Sequence, residues 1–217
     1  MIEGLFIVLE GVDGAGTTTH TKLLLDGLRQ RGLPVHTTRE PSDGPIGNML
    51  RQILAGRVVV PGIRGPRPPS WSTMALLFAA DRLDHVEAEI VPNLLDGVTV
   101  LSDRYDHSSV AYQSVTGGGD PDAVAWVKEL NRHARRPDLT IVLDVPPEIA
   151  AQRRIQRGRG REIYDDDELQ VQLAAFYLDI ERHFPGDRIV HVDGSRSVQE
   201  VAADVMKHVR ILRGEPV

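Results

Sequence analysis

A glycine-rich turn near the start of the chain is the stretch best suited to phosphate chemistry. Residues 6–19 read FIVLEGVDGAGTTT, an apolar run followed by glycines and then by hydroxyl residues. The pattern G-x-x-x-x-G-K-[ST] is met at Gly11, Gly16 and Thr18, but Thr17 stands in the place of the lysine. Main-chain N–H groups still surround a phosphate in such a loop, and what is missing is the ammonium that reaches the outer phosphates. Taken alone, an ordinary strand-to-helix turn explains the stretch equally well.

A carboxylate at the end of a second apolar run is suited to binding a metal ion. Asp103 directly follows the buried-type strand predicted at residues 98–102. Paired with a phosphate loop on another strand, it would hold Mg²⁺, with the Thr18 hydroxyl on the other side of the ion. The alternative is a strand-end carboxylate that caps the next turn. The phosphate-loop pattern favours the metal-binding interpretation.

A run of arginines later in the chain is suited to stabilising a migrating phosphoryl group. Five arginines fall between Arg153 and Arg161, and Gly158 and Gly160 interrupt them. A solvated basic helix end is the common explanation of such a run, but the glycines predict a hinged segment. A closing, arginine-rich lid places positive charge over a transferred phosphoryl group in a dry site.

The elements that position these residues alternate between strands and helices. Strands are predicted at 6–10, 34–38, 98–102, 139–144 and 188–192, and helices at 18–31, 46–54, 72–95, 120–134, from 147, 165–184 and 197–212. Ser72 is the expected N-cap of the long helix, which Gly97 ends, and residues 58–70 form a proline-rich loop. We therefore expect an α/β fold with a parallel sheet of about five strands, helices on both faces, and ligands at the carboxyl ends of the strands. Residues 1–217 are expected to form a single domain with a lid at about 153–165.

Composition excludes several classes of protein. The chain has 217 residues, of which 41% are hydrophobic and 26% charged, and it contains no cysteine. Disulfides and thiolate metal sites are therefore excluded. The net charge of −6 argues against a general nucleic-acid binder. No apolar run approaches the length of a membrane span and no leader pattern opens the sequence, so we expect a cytoplasmic protein that does not bind membranes.

Six stretches in order give the chain a family resemblance. They are F-I-V-x-E-G-x-D-G-A-G-x-T-T at 6–19, T-R-E-P at 38–41, L-F-x-A-D-R at 77–82, D-R-Y-x-x-S-S-x-A-Y-Q at 103–113, R-P-D-L-T at 136–140, and the arginine–glycine lid. Together they resemble thymidylate kinases, the P-loop kinases of dTMP, over nearly the whole chain. The resemblance decides in favour of the phosphate-loop interpretation.

The resemblance implies transfer of the γ-phosphoryl group of ATP to dTMP, with Mg²⁺ as cofactor and a homodimer as the assembly. Mg²⁺ would lie between Thr18 and Asp103. The implied ATP-binding residues are Gly11, Val12, Asp13, Gly14, Ala15, Gly16, Thr17, Thr18 and Thr19. The implied catalytic residues are Asp13, Arg104, Arg153 and Arg157.

The resemblance also implies how dTMP is held. Phe78 would stack on thymine, Arg82 and Gln113 would read its polar edge, Ser109 would lie beside the base, and Tyr112 would lie under the sugar and select deoxyribose. The rest of the nucleotide would be held by Asp13 at the 3′-hydroxyl and by Arg39, Arg51 and Arg104 at the phosphate. Without the resemblance, Phe78 is equally a core aromatic and Tyr112 a helix-packing residue. Phe78 and Arg82 lie four residues apart on one helical face, which favours a base pocket.

Two departures from the family pattern affect this hypothesis. Ser42-Asp43 replaces a usual Gly-Gly pair, and we expect it only to reshape a turn. Thr17 is uncharged and too short to bridge the β- and γ-phosphates, and Lys22 is expected to face away from it. Loss of one preorganised donor costs on the order of 10²–10³ in rate, so we expect a working but slow kinase. The alternatives are a nucleotide-binding protein that has lost transfer and a kinase for another pyrimidine monophosphate.

Overall fold

The predicted strands form one parallel sheet in the computed structural model, which describes residues 3–119, 121–158 and 163–216. The strands are β1 Phe6–Glu10, β2 Val35–Arg39, β3 Thr99–Asp103, β4 Leu139–Asp144 and β5 Ile189–Asp193. Their order across the sheet is β2-β3-β1-β4-β5, so the strand that leads into the glycine-rich turn is central. The prediction of an α/β fold with a five-stranded parallel sheet is confirmed.

Helices cover both faces of this sheet. They are α1 Thr17–Gln30, α2 Pro45–Leu54, α3 Trp71–His85, α4 Val91–Leu95, α5 Asp106–Thr116, α6 Pro121–Leu130, α7 Pro147–Arg157, α8 Asp167–Leu178 and α9 Val198–Leu212, with a 3₁₀ turn at Ile180–His183. Successive β1 side chains point to opposite faces. Phe6 and Val8 pack with Leu94 of α4, whereas Ile7 and Leu9 pack in the larger cluster that includes α1, α5 and α9. Within the described residues, no helix is both long and apolar enough to cross a membrane.

The long helix predicted at 72–95 differs from the structure at both its start and its middle. Ser70, not Ser72, is the N-cap, and its hydroxyl accepts a hydrogen bond from the Thr73 N–H. The helix then passes through a π-helical turn at Val86–Ile90 before α4. Pro92 has no N–H to bond the carbonyl four residues earlier, and the widened turn accommodates that loss. The prediction of one uninterrupted α-helix was therefore wrong.

Other boundaries shift by a few residues. The helix predicted at 165–184 is α8 followed by the separate 3₁₀ turn, while Ser197 caps α9 through a capping box with Glu200. The helix predicted at 120–134 is α6, and Asp120, its expected first residue, lies outside the described residues. The segment 58–70 contains a single bridge, between Val60 and Arg67, and is otherwise irregular.

The strand register places the carboxyl ends of β1, β2 and β3, where predicted site residues lie, next to one another in the sheet. Asp103 at the end of β3 lies opposite Leu9 of β1 on one side and opposite Arg39 of β2 on the other. The loops that follow β1, β2 and β3 therefore leave the sheet at the same edge. Functional side chains far apart in the sequence meet there.

Candidate nucleotide-binding site

A cavity of about 260 Å³ opens at the carboxyl edge of the sheet. Its wall is built by the loops after β1, β2 and β3, by helices α2, α3 and α5, and by Tyr164 just before α8. This is the edge at which parallel α/β sheets bind ligands. Most of the predicted substrate residues line it: Asp13, Arg39, Arg51, Phe78, Arg82, Arg104, Ser109, Tyr112 and Gln113.

The glycine-rich turn has the geometry of a phosphate loop. Gly16, with φ of 100°, precedes the first turn of α1, which has neither a side-chain N-cap nor an acidic residue. The N–H groups at this helix end are therefore left for an anion, which the helix dipole also favours. Gly14 passes so close to Ala150 of α7 that a Cβ there would clash with the Ala150 carbonyl. Thr17 is only 6% exposed and lines the cavity.

No lysine takes the place of the missing one within the described residues. Lys22 is exposed and does not line the cavity. The other lysines, Lys128 and Lys207, lie on α6 and α9. The phosphate-facing part of the loop thus consists of main chain and hydroxyl groups.

Thr18 and Asp103 are in direct contact at the mouth of the loop. The Thr18 hydroxyl donates a hydrogen bond of 2.5 Å to Asp103 Oδ2. Asp103 Oδ1 is buried and has no hydrogen-bond partner among the residues that the structure describes. One hydroxyl and one carboxylate with a free oxygen fit Mg²⁺, which keeps several waters and takes phosphate oxygens as ligands. No group of three or more His, Asp or Glu side chains that could hold a metal ion occurs in the described parts of the chain.

Asp13 and Arg104 form the ion pair at the centre of the cavity. Arg104 donates from one nitrogen to Asp13 Oδ1 at 2.6 Å and from the other to the Gly11 carbonyl at 2.8 Å and to Ser108. Burial alone would lower the pKa of Arg104, but Tyr112 and Asp13 raise it well above its usual value. The guanidinium therefore stays charged.

The backbone of Arg104 is strained. Its φ of 74° makes it the one non-glycine residue with positive φ in the described chain. Such a conformation costs on the order of 1–3 kcal/mol and is typical of functional sites. In this backbone conformation the Arg104 side chain points toward the phosphate loop and contacts the Gly11 carbonyl, while the neighbouring Asp103 contacts Thr18.

The two other predicted phosphate ligands, Arg39 and Arg51, meet a carboxylate that the sequence analysis misjudged. Asp43 lies 2.8 Å from Arg39 and 3.2 Å from Arg51, and hydrogen bonding to Arg39 lowers its pKa. Arg51 also donates to the carbonyl of Pro41 at 2.7 Å. The replacement of a usual glycine by Asp43 therefore does more than reshape a turn, because it places a negative charge between these two arginines.

The base end of the cavity carries two buried polar groups without partners. Arg82 is 1% exposed; its terminal nitrogens donate to Glu40, Ser109 and Asn131, but its Nε–H has no partner in the described residues. Gln113 is equally buried, and its Oε1 likewise accepts no hydrogen bond there.

Aromatic residues complete this end of the cavity. Phe78 is half-buried against the cluster of α2 and α3. Tyr112 packs at 5.4 Å from the ring of Tyr164, and burial raises its pKa. The Arg104 guanidinium lies 5.4 Å from the Tyr112 ring centroid, so the two side chains make a cation–π contact.

Two arginines of α7, Arg153 and Arg154, contact the glycine-rich loop. Arg153 donates to the Gly194 carbonyl at 2.9 Å and to the Ala15 carbonyl at 3.4 Å. Arg154, which was not among the predicted site residues, donates to the Asp13 carbonyl at 2.9 Å. The side chain of Arg157 and residues 159–162 of the lid lie outside the described residues.

Sequence reasoning missed three further residues of the site. Tyr164 lines the cavity, and burial raises its pKa to about 12. Gln170 of α8 contacts Asp13, and the buried Glu10 accepts hydrogen bonds from Tyr105 N–H and Ser108. Glu10 belongs to the E-G-x-D stretch and offered a signal, whereas Tyr164 and Gln170 reach the site only through the fold.

Comparisons with known proteins identify the family of this chain. The sequence model of the thymidylate kinase family matches residues 9–205. The chain is 38% identical over 209 residues to a probable thymidylate kinase of Pyrococcus horikoshii, covering 96% of this chain and 97% of that protein. It is 40% identical over 205 residues to a thymidylate kinase of Symbiobacterium thermophilum, covering 94% and 92%, and 39% identical over 214 residues to one of Dinoroseobacter shibae, covering 96% and 97%. The chain belongs to the thymidylate kinase family.

Proposed function

We propose that this member of the thymidylate kinase family transfers the γ-phosphoryl group of ATP to dTMP with Mg²⁺, and that the absence of the loop lysine makes transfer slow. One observation carries the acceptor assignment: Arg82 and Gln113 line the same cavity, and each carries a buried polar atom, Arg82 Nε–H and Gln113 Oε1, without a partner among the described residues. Thymine presents an acceptor, O4, next to a donor, N3–H, and so pairs with both groups. Cytosine presents a donor and an acceptor in those places and would leave both unsatisfied.

The remaining acceptor contacts follow from the positions of the side chains. Phe78 offers a face for the base, and Tyr112 lies on the sugar side, where a 2′-hydroxyl would meet a buried ring. Asp13 takes the 3′-hydroxyl. The monophosphate is held by Arg39, Arg51 and Arg104.

The donor side uses main chain and charge from the lid. The N–H groups at the start of α1, which have no side-chain cap, hold the phosphates of ATP, and Thr17 donates a hydrogen bond without charge. Mg²⁺, when bound between Thr18 and Asp103, neutralises charge on the β- and γ-phosphates. Arg153 and Arg157 supply further positive charge when the lid is closed.

The reaction needs no protein base. An ionised phosphate oxygen of dTMP attacks the γ-phosphorus, and the bond from that phosphorus to the bridging oxygen of ADP breaks. Arg104 orients the attacking phosphate through its contacts with Asp13 and the Gly11 carbonyl. Positioning and charge stabilisation supply the catalysis.

We further infer from the family a cytoplasmic homodimer in which residues 1–217 form one domain. Sedimentation of the purified protein at several concentrations tests the assembly. The alternatives of a binding protein without transfer and of a kinase for another pyrimidine monophosphate gain no support from the comparisons.

A coupled assay of ADP release tests the function. With ATP and Mg²⁺ present, dTMP should give the highest kcat/KM, dUMP a lower one because it lacks the methyl group, and UMP a lower one still because of Tyr112. CMP should give no signal above background. Equal activity with CMP and dTMP would contradict the base assignment, and no dTMP-dependent ADP release would contradict the kinase function.

A further inference from the structure

All four hydrogen-bonding atoms of Asp13 are occupied by side chains from distant parts of the chain. Its N–H donates to Gln170 Oε1 at 3.1 Å, and its carbonyl accepts from Arg154 at 2.9 Å. Its Oδ1 accepts from Arg104 at 2.6 Å, and its Oδ2 accepts from Gln170 Nε2 at 3.3 Å. Because every polar atom of Asp13 is hydrogen-bonded, the position of this loop residue is fixed.

Gln170 is suited to this contact by the chemistry of its amide. It is 1% exposed, and its Nε2 also donates to the Tyr164 carbonyl at 2.9 Å. The contact with Asp13 requires an acceptor for the N–H and a donor for the carboxylate, and a glutamine side chain provides both. A glutamate in the same place would keep the acceptor but set a second negative charge against Asp13.

Arg154 contacts the same loop residue from α7. Its second terminal nitrogen lies 2.8 Å from Asp167, in the first turn of α8. Arg154 is near the end of α7 and Gln170 near the start of α8. Two successive helices therefore both contact Asp13.

We propose that Arg154 and Gln170 are positioning residues, a clasp through which α7 and α8 hold Asp13 and thereby set Arg104 for the acceptor phosphate. The clasp is defined as these two side chains and their contacts with Asp13. It rests on the proposed roles of Asp13 and Arg104 in binding dTMP. Because Asp13 pairs with Arg104, loss of these contacts with Asp13 also loosens the acceptor-phosphate site.

The clasp predicts a specific split between the two substrates. Gln170→Glu keeps the acceptor for the Asp13 N–H, so the main chain of the phosphate loop stays fixed and the KM for ATP changes by less than about 2-fold. The lost donor and the added charge act on the Asp13 carboxylate. Loss of such a hydrogen bond should raise the KM for dTMP about 10-fold.

A compensating change tests whether the effect passes through Asp13. In Asp13→Asn combined with Gln170→Glu, the new amide at position 13 can donate to the new carboxylate at position 170, while its carbonyl oxygen still accepts from Arg104. The double variant should bind dTMP more tightly than Gln170→Glu alone, although each change alone is harmful. This non-additivity is the signature of direct coupling.

Matched controls lie close by on the same elements. Gln172→Glu adds the same charge at an exposed position two residues away, and should leave both KM values unchanged. Arg154→Met should raise the KM for dTMP, whereas Asp167→Asn should have little effect because the Asp167 side chain is 85% exposed.

The decisive experiment measures both KM values, calorimetric dTMP binding and the thermal midpoint for these variants. A rise confined to dTMP in Gln170→Glu, reversed in part in the double variant, supports the clasp. Equal rises for ATP and dTMP with a lower thermal midpoint, or a double variant no better than Gln170→Glu, would overturn it. If wild-type protein binds dTMP but releases no ADP, the proposed function is refuted. The clasp is then still tested by comparing dTMP binding of wild type, Gln170→Glu and the double variant.

Discussion

The base pocket and the phosphate loop hold their ligand groups by different means. In the base pocket, Arg82 is buried and fixed by Glu40, Ser109 and Asn131, so the side chain has its position before a nucleotide arrives. In the phosphate loop, the ligand groups are N–H groups of the main chain. Thr17, which is uncharged, stands where such loops usually have a charged lysine. In the proposed function, recognition of dTMP thus rests on side chains with fixed positions, whereas transfer rests on the backbone and on charge brought by other elements.

The difference indicates where this chain tolerates substitution. A phosphate loop made of main-chain N–H groups keeps all of these donors when threonine stands in place of lysine. A base pocket built from a buried ion pair tolerates substitution less well, because removal of one partner leaves a buried charge without its counter-charge.

Arg104 joins the two regions, and its removal should have the largest effect. Arg104→Met deletes a buried charge that contacts Asp13 and Gly11, so kcat/KM for dTMP should fall on the order of 10³-fold or more. Steady-state kinetics measures this, with the exposed Arg132→Met as control. A decrease below about 10-fold would remove Arg104 from the acceptor site.

Arg82→Met should affect the base pocket alone. The variant loses one donor to the base and removes the arginine partner of Glu40, which among the described residues keeps only its contact with His85. The KM for dTMP should therefore rise about 10- to 100-fold while the KM for ATP stays within about 2-fold. The comparison between the two regions fails if both KM values rise together, because Arg82 would then be a structural residue.

The stability of the fold should depend on pH through His107 in α5, which contacts Asp106 and Asp187. Burial alone would lower the pKa of His107, but Asp106 and Asp187 raise it to about 9. Because this value exceeds the unfolded value near 6.5, the stabilisation is complete below about pH 6.5 and is lost as the pH rises through about 9.

Denaturant unfolding at several pH values measures this loss. From pH 6.5 to 9.5 the free energy of unfolding of wild type should decrease by up to about 3 kcal/mol relative to His107→Gln. The pKa values of Asp106 and Asp187 are lowered, so both carboxylates stay ionised across this window and add no slope. Parallel pH profiles for the two proteins would show that His107 does not carry the effect.

Asp43→Gly should give the smallest change. The Asp43 carboxylate is 73% exposed and competes with the acceptor phosphate for Arg39 and Arg51. Exposed ion pairs contribute at most about 1 kcal/mol, so its removal should lower the KM for dTMP by about 2- to 5-fold. Asp84→Gly, on α3, serves as the control, and a raised KM in Asp43→Gly would mean that Asp43 orients the arginines.

The sequence predicted those parts of the molecule that depend on local pattern. Strand patterns that end at Gly11, Arg39 and Asp103 predicted three strands and their shared edge, because parallel strands align their carboxyl ends. The N-cap was predicted at Ser72 and is Ser70, because both are hydroxyl residues at the same helix start. The π-helical turn before Pro92 lay within a helical apolar pattern that continues unbroken through it.

Contacts between distant residues were not predictable from spacing. Gln170 is 157 residues from Asp13 in the chain, and Arg154 is 141 residues from it, so only the completed fold brings them together. Asp43 was judged from its place in a turn, and its charge mattered only once Arg39 and Arg51 were located on either side. The unpartnered atoms of Arg82 and Gln113 are likewise properties of packing.

The central claim, that the backbone of the loop sustains slow transfer without its lysine, is tested most directly by kcat for wild type, Thr17→Ala and Thr17→Lys at saturating ATP, dTMP and Mg²⁺. Wild type should release ADP in a dTMP-dependent reaction, and Thr17→Lys should raise kcat by up to about 10²–10³ without changing the KM for dTMP. Thr17→Ala should lower kcat only modestly. No activity in wild type together with no gain in Thr17→Lys would contradict the account.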